Sequence, residues 1–252
     1  MSLELSHKNK NKNKNKNKIK IANIFSIGFR CNACEFLEFY LQIRKYSSPF
    51  SYMVIDIKTA LSFIDNKFEN YTHKDFIDIG NRTNTFNKLK WSFNNRHKIT
   101  GDFNAYDDIL NMKKVCIWNH HKLYDKNTIE SINRRSHHLL TVLENKPETM
   151  LLFYIEKIQE YKENASYFDI SILDKYACKF LIIIPLLNFN SNPVLYYDSE
   201  KIKIIYFNSN LEGWGTDRYC HVDEWNKLKV FVNQLYEFNI EHREDNIMNI
   251  EK

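Results

Sequence analysis

Apolar residues run almost without a break through "IANIFSIG" (21–28), which predicts a strand buried on both faces. The next stretch, "NACEFLEFYLQIR" (32–44), changes period. Cys34, Leu37 and Leu41, with Phe36, Phe39 and Ile43, form one broad apolar face and predict a helix. "YSSPF" breaks it, because Pro49 pushes Ser48 out of helical geometry. A second helix is expected over 54–71, with Ile57, Leu61 and Ile64 on its inner stripe. Residues 72–106 mix aromatics, Asn and charges without sustained periodicity, apart from short strand-like pieces such as "LKWSF".

Order returns at "KVCIWN", read as a strand. A helix then follows to about Glu144, capped by Asp125 or Asn127 and sided by Ile129, Ile132, Leu139, Leu140 and Leu143. "MLLFYIE" (150–156), "FLIIIPLL" (180–187) and "KIKIIYFN" (201–208) read as strands. Helices are expected at 168–179 and at 223–238, where Asp223 complements the helix dipole. Strands alternating with helices imply a single α/β domain, a mostly parallel sheet flanked by helices. Its expected span is 19–245, preceded by a disordered basic tail (1–18) and followed by a frayed end (246–252).

The net charge of +5 changes meaning once it is placed along the chain. Residues 1–20 hold seven Lys and one Glu, so they carry +6 and the rest carries −1. A near-neutral body offers no basic face to a phosphate backbone, so nucleic acid is expected to bind weakly at most, through the tail. The run "KNKNKNKNKNK" is low-complexity and reads first as a solvated tail. The bias toward Lys, Asn, Ile, Tyr and Phe is what AT-rich coding produces. Five unevenly spaced cysteines make no disulfide framework, and reduced thiols fit a cytoplasmic setting. No signal peptide is expected, since Arg30 interrupts the early apolar stretch. No membrane span is expected either, because the longest apolar run is too short.

Cys31 is the residue whose surroundings suggest chemistry. It follows the first predicted strand and opens a helix, and in parallel α/β sheets ligands gather at the carboxyl ends of strands. A helix N-terminus favours thiolate over thiol, and its unpaired N–H groups suit a developing oxyanion. Gly28 is read as the tight turn between strand and helix, with Ser26 helping to shape it. The competing reading makes Cys31 and Cys34 small apolar helix residues. Among nine histidines, His120 and His121 stand out because they also follow a predicted strand. His137 and His138, beside Arg134 and Arg135, read as surface residues.

These same residues carry a resemblance. "FSIGFRC…QIRKYSSPFSY" is similar to the opening of a bacterial and viral family of papain-like cysteine peptidases of largely unknown function. That family reads Ser-Leu-Gly-x-x-Cys, a helix, an Arg-containing turn and Ser-Pro-Phe-Asp-Trp. Ser26, Ile27, Gly28 and Cys31 match the first element; Arg44, Ser48, Pro49 and Phe50 match the second, with Ser51 and Tyr52 in place of Asp-Trp. His120, His121, Arg134, Arg135 and Leu139 resemble a later His-His-Asp block, with Lys122 replacing the Asp. Trp214, Gly215, Asp223 and Trp225 are loosely similar to a C-terminal element. The resemblance implies Cys31 as nucleophile and His120 or His121 as base, with Asp125 or Asp223 left to orient the imidazole. The expected parallel sheet differs from the papain fold, in which a helical half faces an antiparallel β half.

The function expected is therefore a cysteine-dependent hydrolase, peptidase-like or acyl-transferring, acting on a peptide or acyl-type substrate without cofactor or metal. The alternative is a catalytically degenerate binding or host-interaction protein of the same fold. A metal or redox site at Cys31-x-x-Cys34, with Cys220 and His221, rests on a single Cys pair and is weaker. A glycosidase lacks recognisable paired carboxylates, and no phosphate-binding glycine loop is present.

Overall fold

The computed structural model describes residues 18–30, 32–43, 46–51, 53–55, 57–69, 71–72, 77–79, 89–93, 97–99, 116–118, 126–154, 170–186, 192–208 and 222–240. The first apolar run gives β1 (Ile19–Ile21) and β2 (Asn23–Arg30), and α1 (Asn32–Glu35) then passes into a π-helical turn (Phe36–Tyr40). Next come β3 (Met53–Ile55), α2 (Ile57–Asp65), β4 (Ile77–Ile79), β5 (Leu89–Phe93), β6 (His97–Ile99) and β7 (Cys116–Trp118). The second half holds α3 (Lys126–Asn145), β8 (Thr149–Tyr154), a 3₁₀ turn (Ile170–Leu173), β9 (Lys179–Leu186), β10 (Val194–Asp198), β11 (Ile202–Asn208), α4 (Val222–Leu235) and β12 (Tyr236–Phe238).

The main sheet of the described residues has seven strands in the order β10-β11-β9-β8-β2-β3-β7. Neighbours from β11 through β2 are parallel, while β10 pairs antiparallel with β11 and β3 antiparallel with both β2 and β7. Five strands thus run one way, as the α/β alternation predicts. Two smaller sheets accompany it: β4-β5-β6, and the parallel pair β1-β12.

Each central strand is buried on both faces, which is why it reads as continuous hydrophobe rather than as an alternating strand. Phe25, Ile27, Leu151, Phe153, Phe180 and Ile182 point to one face, against α2 and α3. Ile24, Met150, Leu152, Leu181, Ile183 and Ile205 point to the other, against α1, the π turn and α4. The buried stripe of α3, Ile132, Ser136, Leu139 and Val142, follows the helical repeat. Pro185 is tolerated in β9 because pairing with β8 has already ended at Ile183, leaving β11 as its partner there.

Five expectations change, the first being that the last helix, expected over 223–238, ends at Leu235 and Tyr236–Phe238 form β12. Residues 53–55 form a strand rather than the start of the second helix, and the apolar stripe at Ile57, Leu61 and Ile64 belongs to a nine-residue α2. The helix expected over 168–179 is only one 3₁₀ turn, and β9 has already begun at Lys179. The first helix stops early: Leu41 N–H donates back to Phe36 O at 2.9 Å, and Gln42 takes a left-handed φ of 57°. Finally, α3 begins at Lys126, so Asn127 sits inside its first turn, and Asp125 lies outside the described residues. The tail 1–17 and the segment 241–252 lie outside them too.

Candidate functional site

Backbone register locates the edge of the sheet that sequence reasoning singles out. Arg30, the last residue of β2, pairs with Met53, the first of β3, and Met53 pairs on its other side with Trp118, the last of β7. Since β3 opposes both neighbours, β2 and β7 run the same way and end level with each other. Their ends are two strand spacings apart, roughly 10 Å. Cys31 is the next residue after Arg30, and His120 and His121 follow Trp118 by two and three positions. All three lie outside the described residues, as do Asp125, Arg44, Tyr52, Cys220 and His221.

The same edge holds a topological switch point. The chain leaving β2 crosses by α1 to one face of the sheet, where Ala33, Phe36 and Leu37 are buried. The chain leaving the adjacent β8 reaches the 3₁₀ turn on the opposite face, where Leu173 is buried. Adjacent parallel strands whose connections diverge leave a crevice at their carboxyl ends, and ligands of open α/β sheets bind there.

Gly28 and Ser26 lie within β2, not in a turn. Gly28 pairs with Tyr154, and a Cβ built on it would stand 2.7 Å from Tyr154 O and 2.9 Å from Tyr154 N. Its task is close backbone approach between β2 and β8. Ser26 is buried in mid-strand, and its Oγ lies 3.1 Å from Sγ of Cys34, a buried residue of α1.

The Ser-Pro-Phe segment is a turn that delivers the chain to Met53. Ser48 and Ser51 are fully buried; Phe50 N–H donates to Ser48 Oγ at 3.1 Å and Ser51 N–H to Ser48 O at 3.0 Å. Tyr71 braces it from below, its hydroxyl donating to Pro49 O at 3.2 Å and lying 3.1 Å from Met53 Sδ. Sequence reasoning missed Tyr71, which looks like one more apolar position at the end of an expected helix.

An aromatic cluster lies near the same edge on the α4 side. Trp225 packs its ring 5.3–5.6 Å from those of Tyr40, Phe36, Tyr154 and Phe207. Burial first, then the Glu35 carboxylate, push the Tyr40 phenol above its ordinary value. Asp223 stands exposed in the first turn of α4, two residues before Trp225. His137 is exposed as expected. His138 is half-buried instead, its ring 4.5 Å from that of Tyr46 and 5.9 Å from that of Phe25.

Among the described residues no group of three or more His, Cys, Asp or Glu converges as metal ligands, and no helix is long and apolar enough to cross a membrane. A cleft of about 420 Å³ lies at the opposite edge of the sheet, where Glu148, Lys179 and Glu200 precede or begin β8, β9 and β11. It is far along the strands from the carboxyl edge and mixes both signs of charge. No family model, curated protein or solved structure matches this chain.

Proposed function

We propose that the chain is a cysteine-dependent hydrolase or acyl transferase, with Cys31 as nucleophile and His120 or His121 as base. The observation that carries this reading is the shared register of Arg30 and Trp118 on Met53, at the carboxyl ends of two strands running the same way. Two residues of extended chain span up to about 7 Å, so the segment after Trp118 is long enough to bring an imidazole toward the end of β2. A substrate carbonyl at the switch point between β2 and β8 is in keeping with where ligands of open α/β sheets gather.

In this mechanism the imidazole takes the Cys31 proton and the thiolate attacks the carbonyl carbon. Backbone N–H groups at the crevice stabilise the oxyanion. Collapse of the tetrahedral intermediate expels the leaving group, which receives the proton from the imidazolium. Water, deprotonated by the same imidazole, or another acceptor nucleophile then releases the acyl group. Peptide, isopeptide, amide and thioester bonds all suit this chemistry. The resemblance to the papain-like cysteine peptidase family supports the same assignment.

The test is competitive labelling with an electrophilic thiol probe. Cys31 is expected to react at least tenfold faster than Cys34, Cys116, Cys178 and Cys220, and His120→Ala or His121→Ala to remove that advantage. Uniform slow labelling of all five cysteines defeats the proposal. The replacement of an acid by Lys122 and the exposure of Asp223 favour the second reading, a binding protein with a degenerate site. Partner binding unchanged in Cys31→Ala would point to it.

A further inference from the structure

We infer that the outer edge of the main sheet carries a second binding site, an aromatic platform on β10 and β11 that takes a neutral carbohydrate. Its residues are Val194, Tyr196, Tyr197, Tyr206 and Asn208. Strands β9 and β8 separate it from β2, so it stands apart from the site proposed above.

The platform is a product of the bulge in β10. Regular alternation sends Val194 and Tyr196 to one face of a strand and Leu195 and Tyr197 to the other. Here the register shifts between Leu195 and Tyr197, so that Val194 pairs with Tyr206, Leu195 with Ile205 and Tyr197 with Ile204. Tyr206 and Ile204 belong to the face that carries α2 and α3, which places Val194 and Tyr197 on that face together. Tyr196 joins them, its ring 4.5 Å from that of Tyr206 and inclined by 24°. Re-aiming a side chain in this way is a common use of a bulge. The three β10 side chains are exposed by 44, 56 and 37 %, so large exposed hydrophobes concentrate on one short strand instead of scattering. The strand is a poor template for strand addition, being short, bulged and preceded by Pro193, so a partner meets its face and not its edge.

Two observations choose the ligand. On this face β9, β10 and β11 present no charged side chain, and the one charge on β10, Asp198, pairs with Lys203 on the opposite face. A surface without cations gives a phosphate backbone nothing to hold. The second observation is Asn208, two residues beyond Tyr206 on the same face. It is only 7 % exposed, and its Oδ1 has no hydrogen-bond partner among the described residues. An open, buried acceptor beside exposed rings calls for an uncharged ligand with hydroxyl donors and an apolar face. A sugar ring has both: its C–H face lies on a phenol ring, and its hydroxyls donate to Asn208 Oδ1 and bond the tyrosine hydroxyls. The Tyr196–Tyr206 stack holds its rings in place beforehand, which lowers the ordering cost of binding.

The experiment is isothermal titration of the full chain with cellohexaose, maltohexaose and chitohexaose at millimolar concentration. At least one is expected to bind, with an affinity that salt leaves unchanged. Tyr196→Ala and Tyr197→Ala are each expected to weaken binding about tenfold, and Asn208→Leu about fivefold. Tyr196→Phe, which keeps the ring, is expected to lose less than about threefold. Val230→Ala, on the exposed side of α4, should bind as the original does. Thermal scans check each fold, and the exposed Tyr196 and Tyr197 variants test the inference even where Asn208→Leu unfolds.

No binding of any of these sugars, binding that survives Tyr196→Ala, or an equal loss in Val230→Ala overturns the inference. If no sugar binds but a single-stranded oligothymidylate does, and Tyr196→Ala abolishes it, the platform belongs to bases. If no sugar binds but sedimentation shows a dimer that Tyr196→Ala dissociates, the platform belongs to a second copy. Either outcome overturns the carbohydrate assignment.

Discussion

Substituting Gly28 separates two reasons for a glycine that sequence alone leaves indistinguishable. In Gly28→Ala the new Cβ meets Tyr154 O at 2.7 Å, Tyr154 N at 2.9 Å and Tyr154 Cβ at 3.2 Å. Carbon in ordinary contact stands about 3.5 Å or more away, so β2 and β8 must part by roughly 0.8 Å. Both are inner strands of the sheet, and neither has solvent to move into. A displacement of that size stretches the last ladder bonds between the strands beyond good geometry. Overpacking costs about 1–3 kcal/mol, and each weakened backbone bond about 1 kcal/mol more. The expected loss is therefore ~2–4 kcal/mol, or a fall in Tm of roughly 5–15 °C for a domain of this size. Urea unfolding at constant m-value, paired with a thermal scan, reads it. Gly28→Asn discriminates further: a left-handed turn would accept Asn better than Ala, whereas close approach makes the larger Asn worse. Gly28→Ala within about 0.5 kcal/mol of the original chain, or Asn milder than Ala, refutes the close-approach argument.

Trp225→Ala is expected to cost about 3–5 kcal/mol in chemical denaturation, because it opens a cavity among four rings, and Trp225→Phe markedly less. Burial pushes the Cys178 thiol up to about 12 from an ordinary 9.0. Its folded value exceeds its unfolded one, so its contribution to stability is complete below about pH 9 and is lost as pH climbs toward 12. Cys178→Ala should flatten the alkaline fall of unfolding free energy, and an identical fall in both proteins would contradict this. Asp65 accepts from the Tyr176 hydroxyl at 2.7 Å and pairs with Lys175, so Asp65→Ala should cost on the order of 1 kcal/mol by urea midpoint; no change would remove the cluster from the stability of the α2 end.

The parallel sheet was legible because burial on both faces leaves a signature that needs no partner to be seen: β2, β8, β9 and β11 are nearly continuous in apolar residues, chiefly Ile, Leu and Phe, with few polar interruptions. Strands defined by their neighbours were not legible. Residues 53–55 precede a helical stripe without punctuation, and only pairing with Arg30 and Trp118 makes them β3. β10, half-exposed and bulged between Leu195 and Tyr197, has neither alternation nor continuity. The expected helix at 168–179 mixes an apolar stripe with a short span that the start of β9 cuts off at Lys179. Of the site, the edge was readable, since strand ends before Cys31 and His120 follow from hydropathy. The tasks of Ser26 and Gly28 were not, because a mid-strand partner across to α1 and a backbone approach to Tyr154 are tertiary facts.

The pairing of β1 with β12 has a temporal side. Ile19 lies beside Tyr236 and Ile21 beside Phe238, and Asn239 N–H donates to Ile21 O at 2.9 Å. During synthesis, the strand near residue 20 emerges first and must wait for more than two hundred further residues before its mate leaves the ribosome. Until then the layer that holds Ile21 stays unsealed on that side, and closing so long a loop is slow relative to the local steps. The nascent protein thus carries an open seam while everything between the two strands is synthesised, an interval in which a chaperone has much to shield.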